Sequence, residues 1–571
     1  MRNLLGPARL VVVVLVAAVG VAVLAAGPAV AAGQQFKPAF STAKAFDVSK
    51  PLSVLAQQPF TPTAPDEEGD DEDGGKADNG FTGDLVRQAS LPSIQTIASP
   101  TQNFEGISNQ DNFSIYGGRV NPPDPVGDVG PNHYVEMVNL AIAVYNKTGT
   151  RLLGPLPIGT LWQDFSVPDC ADAAGDPVVL YDQLADRWIL TQFTAEGPEY
   201  WDCIAVSQTG DPTGAYYRYA FITQPDPELT GGTFFPDYPK YSVWKDSIVL
   251  TTRDFGNFTG YGVSVYAFDK NKMLNGEPNP RAVQFFIDGN APGNLALVGD
   301  GLLPADIDGT TKPKNSTPIP IIGTQDDGGG YGATSDAINV FELNVLWNAV
   351  PTASFALKTQ LPVAAFDSVF PCGPTARDCL PEPGITDPAQ YLDILSYRQR
   401  PTYRFAWRSF KDYDGMVAAQ SVEAAPGVAG MRWYELRRVN GTYSVYQQGT
   451  YAPADGVHRW MGSVAQDKKG DIAMGYSVVN GVDVYPGIRY TGRLAGDPRG
   501  QMTLGEGTII NGSGVQRTTN SRWGDYTSLN VDPVDDCTFW YVNEYYTLAG
   551  QLSSTAGWQT RIASFKLPGC N

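Results

Sequence analysis

The stretch "RWGDYTSLNVDPVDDCTFWYVNEYY" (residues 522–546) reads as two β-strands around a turn, with Arg522 and Asp525 standing at the entrance of an otherwise apolar strand. About sixty residues upstream, "RWMGSVAQDKKGDIAMGYSV" (residues 459–478) repeats the design. Arg-Trp again leads into a small-residue strand, an acidic turn and an apolar return strand. A pattern that recurs at this distance is the signature of a repeat architecture.

Five further copies precede these two. They are "DPVGDVGPNHYVEMVNLAIAVYNK" from Asp124, "DPVVLYDQLADRWILTQF" from Asp176, "DYPKYSVWKDSIVLTTRDF" from Asp237, "DIDGTTKPKNSTPIPIIGTQ" from Asp306, and "RFAWRSFKDYDGMVAAQSV" from Arg404. Each is followed by another strand candidate, such as "CIAVSQT" or "GVSVYAFDK". Seven units of at least three strands predict an all-β chain folded as a single seven-bladed β-propeller. Two β-sandwich domains are the competing architecture, but they leave seven similar openings without a reason. The last unit shows three strands before Asn571, so its fourth is sought in "IQTIASPTQNFEGIS" (residues 94–108). That N-terminal strand would close the ring without leaving an edge.

Aromatic residues at 11%, with 61 Gly and 44 Pro, suit many short strands joined by turns. Residues 1–32 carry Arg2 and Arg9 before a long apolar run and end in small residues near Ala31, as a secretory signal peptide does. Residues 33–93 read as a disordered Pro-rich and acidic leader containing "PDEEGDDEDGGKAD", and residues 94–571 as the propeller. The expected location is secreted and extracellular, or surface-tethered if the signal segment is retained. No later segment is apolar enough to span a bilayer.

Six cysteines suit an oxidising compartment. Sequence leaves their pairing open, and proximity along the chain favours Cys170–Cys203, Cys372–Cys379 and Cys537–Cys570. Zinc is not expected, since there is no C-x-x-C pair and the only histidines are His133 and His458. A net charge of −20 argues against nucleic acid and anionic membrane as partners. The expected partner is an extracellular glycan or protein, with the chain a monomer.

The first strand of each propeller blade lines the axis, so the unit openings should converge at one mouth. Asp124, Asp176, Asp237 and Asp306 come from four units, Arg404, Arg459 and Arg522 from three, with Asp525 beside them. Asp128, Lys240, Arg398, Arg400 and His458 are near neighbours. Such groups either satisfy one another between units or form a ligand site. Paired carboxylates can run glycoside chemistry, one as acid and another as base or nucleophile. Asp176, Asp237 and Asp525 are the catalytic candidates. Asp124, Asp306, Arg404, Arg459, Arg522 and His458 are the ligand-binding candidates. Trp460, Trp523, Tyr526 and Tyr238 would stack on sugar faces or fill space between units. The rival reading is a non-catalytic scaffold or protein-interaction module. No G-x-S-x-G elbow, H-E-x-x-H or Walker loop is present, and His133 in "GPNHY" reads as structural. No cofactor is required; calcium is a candidate at "DPVDD" (residues 532–536) and "TQDDGGG" (residues 324–330).

Arginines on three successive units resemble the carboxylate clamp of sialidases, although the S-x-D-x-G-x-T-W repeat of that family is absent. The run "PPDPVGDVG", "FPDYPK", "HRWMGS" and "RWGDY" resembles a group of secreted bacterial β-propeller proteins over nearly all of residues 100–571. That resemblance implies export and fold, and brings no activity with it.

Overall fold

The computed structural model describes residues 35–63, 81, 83–91, 96–195, 197–223, 233–256, 260–314, 316–370, 378–394, 399–518 and 521–570. The chain is all-β, with only short helical turns between strands among the described residues. Seven first strands, here numbered in chain order, each begin an antiparallel set. They are β1 (Val126–Val129), β2 (Val178–Asp182), β3 (Phe234–Val243), β4 (Leu303–Ile307), β5 (Thr402–Ser409), β6 (His458–Gln466) and β7 (Ser528–Val531). Three consecutive strands follow each of β1 to β6, paired neighbour to neighbour. The set begun by β7 has two more of its own, Thr538–Tyr546 and Trp558–Lys566. Gln102–Ser108 supplies its fourth, antiparallel to Trp558–Lys566. The sheets are open; β4 and β5 pair in parallel and fuse two sets into one larger sheet.

The turns explain the acidic repeat. In "DQLAD" the Asp182 carboxylate accepts from the backbone N–H of Leu184 and Ala185, at 2.9 and 3.2 Å. In "QDKKGD" Asp467 accepts from the N–H of Lys469 and Asp471, at 2.8 and 3.0 Å. Asp535 does the same for Cys537 and Thr538, at 2.9 Å each. These side chains replace the backbone partners that a tight turn cannot provide.

The strands are buried on both faces because neighbouring sheets pack against them, so they read as apolar runs rather than alternating ones. Trp244 meets Trp407 edge-on at 5.1 Å, Tyr134 stacks on Trp540 at 5.4 Å, and Tyr490 meets Phe565 at 4.1 Å, each pair from two different sheets. Disulfides join Cys170 to Cys203 and Cys537 to Cys570. The Cys372–Cys379 expectation lies outside the described residues because Cys372 does, and so do the signal segment and the acidic run. Among the described residues no helix is long and apolar enough to cross a membrane.

One expectation is corrected. The described part of the leader, far from being disordered, lays short strands along the outer edges of three sheets. Ala45–Val48 pairs with Tyr216–Ile222, Ala39–Thr42 with Arg281–Asp288, and Gln35–Phe36 with Thr352–Pro362. Each edge would otherwise expose a row of unpaired N–H and C=O groups. Side chains hold the additions in place. Phe46 lies 5.0 Å from Tyr219, Phe36 lies 5.5 Å from Phe355, and Asp47 accepts from both Nε and Nη2 of Arg218 at 2.7 and 2.5 Å. Arg87–Gln88 pairs in parallel with Thr442–Tyr451 on a fourth edge.

Candidate functional site

The first strands touch in cyclic order, β1 against β2 and onward to β7 against β1, so their entrances face one another. Three of those entrances share a backbone feature. Asp124, Asp176 and Tyr238, each followed by proline, have φ of 44°, 42° and 56°. Asp tolerates this left-handed region because its short carboxylate can bond locally. In β3 the register against Ser247–Gly256 shifts between Asp237 and Lys240, and such a bulge re-aims the side chains that follow. Lys240 is thereby 7% exposed.

The polar groups so gathered are held by one another. Asp525 lies between two arginines, accepting from Arg522 Nη2 at 2.6 Å and from Arg400 Nη2 at 3.2 Å. Its backbone N–H donates to Asp124 Oδ1 at 2.7 Å, and Asn139 Nδ2 donates to Asp124 Oδ2 at 3.0 Å. The Tyr526 hydroxyl is 3.0 Å from Asp176 Oδ2 and 3.1 Å from the Pro239 carbonyl. Among the described residues, Asp176 Oδ1 and Lys240 Nζ have no hydrogen-bond partner. Lys240 Nζ instead lies 3.4 Å from the centre of the Tyr526 ring.

Burial dominates the titration of this cluster. It pushes the Asp176 carboxyl up to about 7, with Asp124 adding to the rise and Lys240 opposing it. It pushes Asp124 up to about 6, Asp525 adding and Arg522 opposing. It brings the Lys240 amine down to about 7, assisted by Arg400 and opposed by Asp176. A protonated Asp176 also resolves the hydrogen bonding. One phenolic hydrogen cannot serve two acceptors. With a proton on Asp176, that carboxyl can bond the Tyr526 oxygen while the Tyr526 hydrogen goes to Pro239.

A second layer lies deeper along the same strands. Arg404 Nη2 is 2.8 Å from Asp306 Oδ2 and 2.6 Å from Asp308 Oδ1, and Nη1 donates to the Leu529 carbonyl at 3.2 Å. Asp306 Oδ1 also accepts from Val243 N at 2.7 Å, and Asp128 Oδ2 from Tyr181 N at 2.7 Å. Carboxylates here tie one first strand to the backbone of the next. Burial, opposed chiefly by Arg404, carries Asp128 up to about 8.

The expected site residues therefore separate into groups. Asp124, Asp176, Asp525 and Arg522 meet, together with Lys240 and Arg400. Asp237 stands opposite Arg253 in the β3 ladder, with its Oδ1 accepting from Tyr238 N at 2.7 Å. Asp306 and Arg404 face each other in the deeper layer. Arg459 is a correction: its guanidinium bonds Glu506 Oε2 and Asp455 Oδ2, each at 2.7 Å, within its own sheet and the loop before it. His458 Nδ1 accepts from Ala429 N at 3.3 Å, and burial, with Arg459 beside it, lowers its ring to about 4. The aromatics are buried rather than presented: Trp460 packs on Trp523 at 5.1 Å, and Tyr238 on Tyr526 at 6.3 Å. Arg398 lies outside the described residues.

Sequence reading missed Arg253 and Asp300. Arg253 sits near the end of the second strand of its set, which returns to the same mouth, and its Nη2 is 2.9 Å from Asp300 Oδ1. The signal was the antiparallel return itself, "TTRDF", which brings the end of a second strand back beside the start of the first. A narrow cleft opens here among Tyr238, Lys240, Arg253, Asp300 and Arg400, with a volume of about 10 Å³, room for one water.

Of the calcium candidates, Asp532, Asp535 and Asp536 each face a cation, Lys147 at 2.8 Å, Lys566 at 2.7 Å and Arg408 at 2.6 Å. In the other, Asp326 and Asp327 come within 4.8 Å of Asp336. Asp326 and Asp336 there accept from backbone N–H groups, among them Ser368 and Phe366 at 2.7 and 2.8 Å.

No family model and no curated protein matches the chain. Solved structures similar to it include a thermostable family-43 glycoside hydrolase, at 11% identity and TM-score 0.27, covering 62% of this chain and 98% of that one. An endo-arabinase from Bacteroides thetaiotaomicron overlaps at 14% identity and TM-score 0.27, covering 57% and 95%. The polysaccharide lyase Uly1 overlaps at 10% identity and TM-score 0.30, covering 87% and 96%. Overlaps this loose assign neither a fold nor a ligand.

Proposed function

We propose that this chain is a secreted seven-bladed β-propeller, closed by Gln102–Ser108, whose axial cluster is a carbohydrate-directed acid–base site. The cyclic contacts of β1 to β7 support the ring. The observation that carries the site is the meeting of Asp176, whose buried carboxyl titrates at about 7, with Asp525, held between Arg400 and Arg522. Glycoside cleavage needs two carboxyl groups in different protonation states, and different surroundings are what separate them. Asp176 is the proton donor in this reading, and Asp525 the carboxylate partner. Arg522 and Arg400 orient Asp525, and Asp124 sits against its backbone. Admission of a sugar ring requires Tyr238 and Arg400 to move, because the cleft between them has room for about one water.

The competing reading, a scaffold with no ligand at the axis, draws on the mutual satisfaction of Arg404, Asp306 and Asp308 in the deeper layer. A hydrolysis and thermal-shift screen of the secreted protein against a glycan panel, with calcium and with EDTA, separates the two. Turnover or a ligand-specific rise in Tm that disappears in Asp176→Asn supports the carbohydrate site. Silence across the panel, with Asp176→Asn altering only Tm, supports the scaffold.

A further inference from the structure

Asn139 stands in the turn between the second and third strands of the first set, His133–Val138 and Ala141–Asn146. It is buried, and its carboxamide reaches two unit openings at once. Nδ2 donates to Asp124 Oδ2 at 3.0 Å and to the Pro122 carbonyl at 3.2 Å, while Oδ1 accepts from the backbone N–H of Asp176 at 3.0 Å. These partners fix the orientation of the amide. Turned over, it would set an oxygen against the Asp124 carboxylate and the Pro122 carbonyl, and hydrogens against the Asp176 N–H. The main chain of Asn139 is held as well. Its N–H donates to the Pro123 carbonyl at 2.7 Å, and its carbonyl accepts from Asn112 Nδ2 at 2.6 Å.

The bonds continue past Asp124, whose Oδ1 accepts from the Asp525 N–H at 2.7 Å. Asp525 precedes β7 and Asp176 precedes β2, so the opening of β1 lies between theirs, and β1 touches both strands. One chain of three hydrogen bonds therefore joins their main chains: Asp525 N–H to Asp124, Asp124 to Asn139, and Asn139 to Asp176 N–H. The backbone around this chain is unusual. Asp124 and Asp176 have φ of 44° and 42°, and Leu140, next to Asn139, has 147°. Residues other than glycine hold such angles only where their surroundings impose them, and they gather where the geometry of a site must be kept.

We infer that Asn139 is a positioning residue of the axial site: acting through Asp124, it fixes the main chains of Asp176 and Asp525 against each other and so sets the separation of their carboxyl groups. That separation decides what a carboxyl pair can do to a glycosidic bond. The roles of proton donor and carboxylate partner rest on the carbohydrate reading above; the chain of bonds stands without it. Side chains of similar size do not serve both ends. An aspartate would oppose the Asp124 carboxylate, and a leucine would leave both partners unmet.

The test is amide NMR of the full secreted chain carrying nitrogen-labelled aspartate, with Asp176→Asn and Asp525→Asn identifying the two signals. An N–H bonded to a carboxylate resonates downfield and exchanges slowly. Asn139→Leu should move both amide protons upfield and speed exchange of the Asp525 N–H by roughly tenfold or more, although Asn139 does not touch that group. If this variant does not fold, Asn139→Asp, measured above neutral pH, keeps the acceptor for Asp176 and loses the donor to Asp124. It should spare the Asp176 signal and move that of Asp525. An Asp525 signal unmoved in a folded variant overturns the positioning role and leaves Asn139 a local cap of Asp176. For any glycan the panel shows to be cleaved, Asn139→Leu should lower kcat by roughly tenfold to a hundredfold rather than raise KM. A fall in Tm with kcat retained overturns the inference as well. Silence across the glycan panel overturns the carbohydrate reading, and the amide signals still decide the role of Asn139.

Discussion

The hydroxyl of Tyr526 lies 3.0 Å from Asp176 Oδ2, joining the entrances of two first strands that are 350 residues apart in the chain. The bond ties the protonation of a buried carboxyl to a neighbour that can be removed without changing the packing. Tyr526→Phe keeps the ring under Lys240 and deletes the hydroxyl. As Asp176 ionises, the Tyr526 hydrogen turns from the Pro239 carbonyl to the carboxylate; a hydrogen bond to an ionised carboxylate lowers its pKa, so losing it should move the Asp176 titration above about 7. Carbonyl NMR titration of labelled aspartates checks this, with Asp176→Asn identifying the resonance. An unmoved midpoint would show that Tyr526 spends its hydrogen elsewhere.

Stability should fall as pH rises from about 5 to 8. Asp254, accepting from Thr252 and Ser264 at 2.7 and 2.5 Å, is pushed by burial up to about 7, and Asp202 is pushed by burial to the same value. Each folded carboxyl then keeps a proton that the unfolded chain releases near pH 4. That contribution is fully present below the unfolded pKa and is lost as pH passes through the folded one. Melting curves of Asp254→Asn across this range should be flatter than those of the wild type. Parallel curves would mean that Asp254 is ionised in the fold.

Arg404→Met should cost roughly 3–5 kcal/mol in urea unfolding, because it leaves Asp306 and Asp308 buried without their cation. Replacing all three, as Arg404→Met with Asp306→Asn and Asp308→Asn, should recover much of that loss. If the single variant proves as stable as the wild type, the deeper layer is not holding the first strands together.

Cys570→Ser should lower stability by about 2–4 kcal/mol, the usual yield of a disulfide. This one joins residues 33 apart, tying the end of the chain to the second strand of the set that also contains Gln102–Ser108. Urea unfolding with and without reductant measures it. An equal response to reductant in wild type and variant would place the sensitivity at another disulfide.

The strands and their turns were legible in the sequence because they are local. The acidic turn in "QDKKGD" is decided by a carboxylate and N–H groups two and four residues away, all inside one short stretch. The convergence of Asp124, Asp176, Asp525 and Arg522 was legible for a related reason: once a repeat is recognised, equivalent positions must lie at equivalent places. The leader was not. "AFSTAKAFDV" has no partner near it in the chain, and its strands form only because the outer edges of Tyr216–Ile222 and Arg281–Asp288 wait for them.

Arg459 and Arg522 mark the boundary between what each level decides. Both precede Trp at the opening of a unit, and nothing in that dipeptide tells them apart. The sequence by itself determined the seven openings and the acidic turns, since these depend on spacing and on neighbours a few residues away. Only the tertiary structure decided that Arg522 reaches Asp525 at the axis while Arg459 reaches Glu506 on the last strand of its own sheet. A buried guanidinium goes to the nearest carboxylates that can compensate it, and which carboxylates are nearest depends on how distant parts of the chain are brought together.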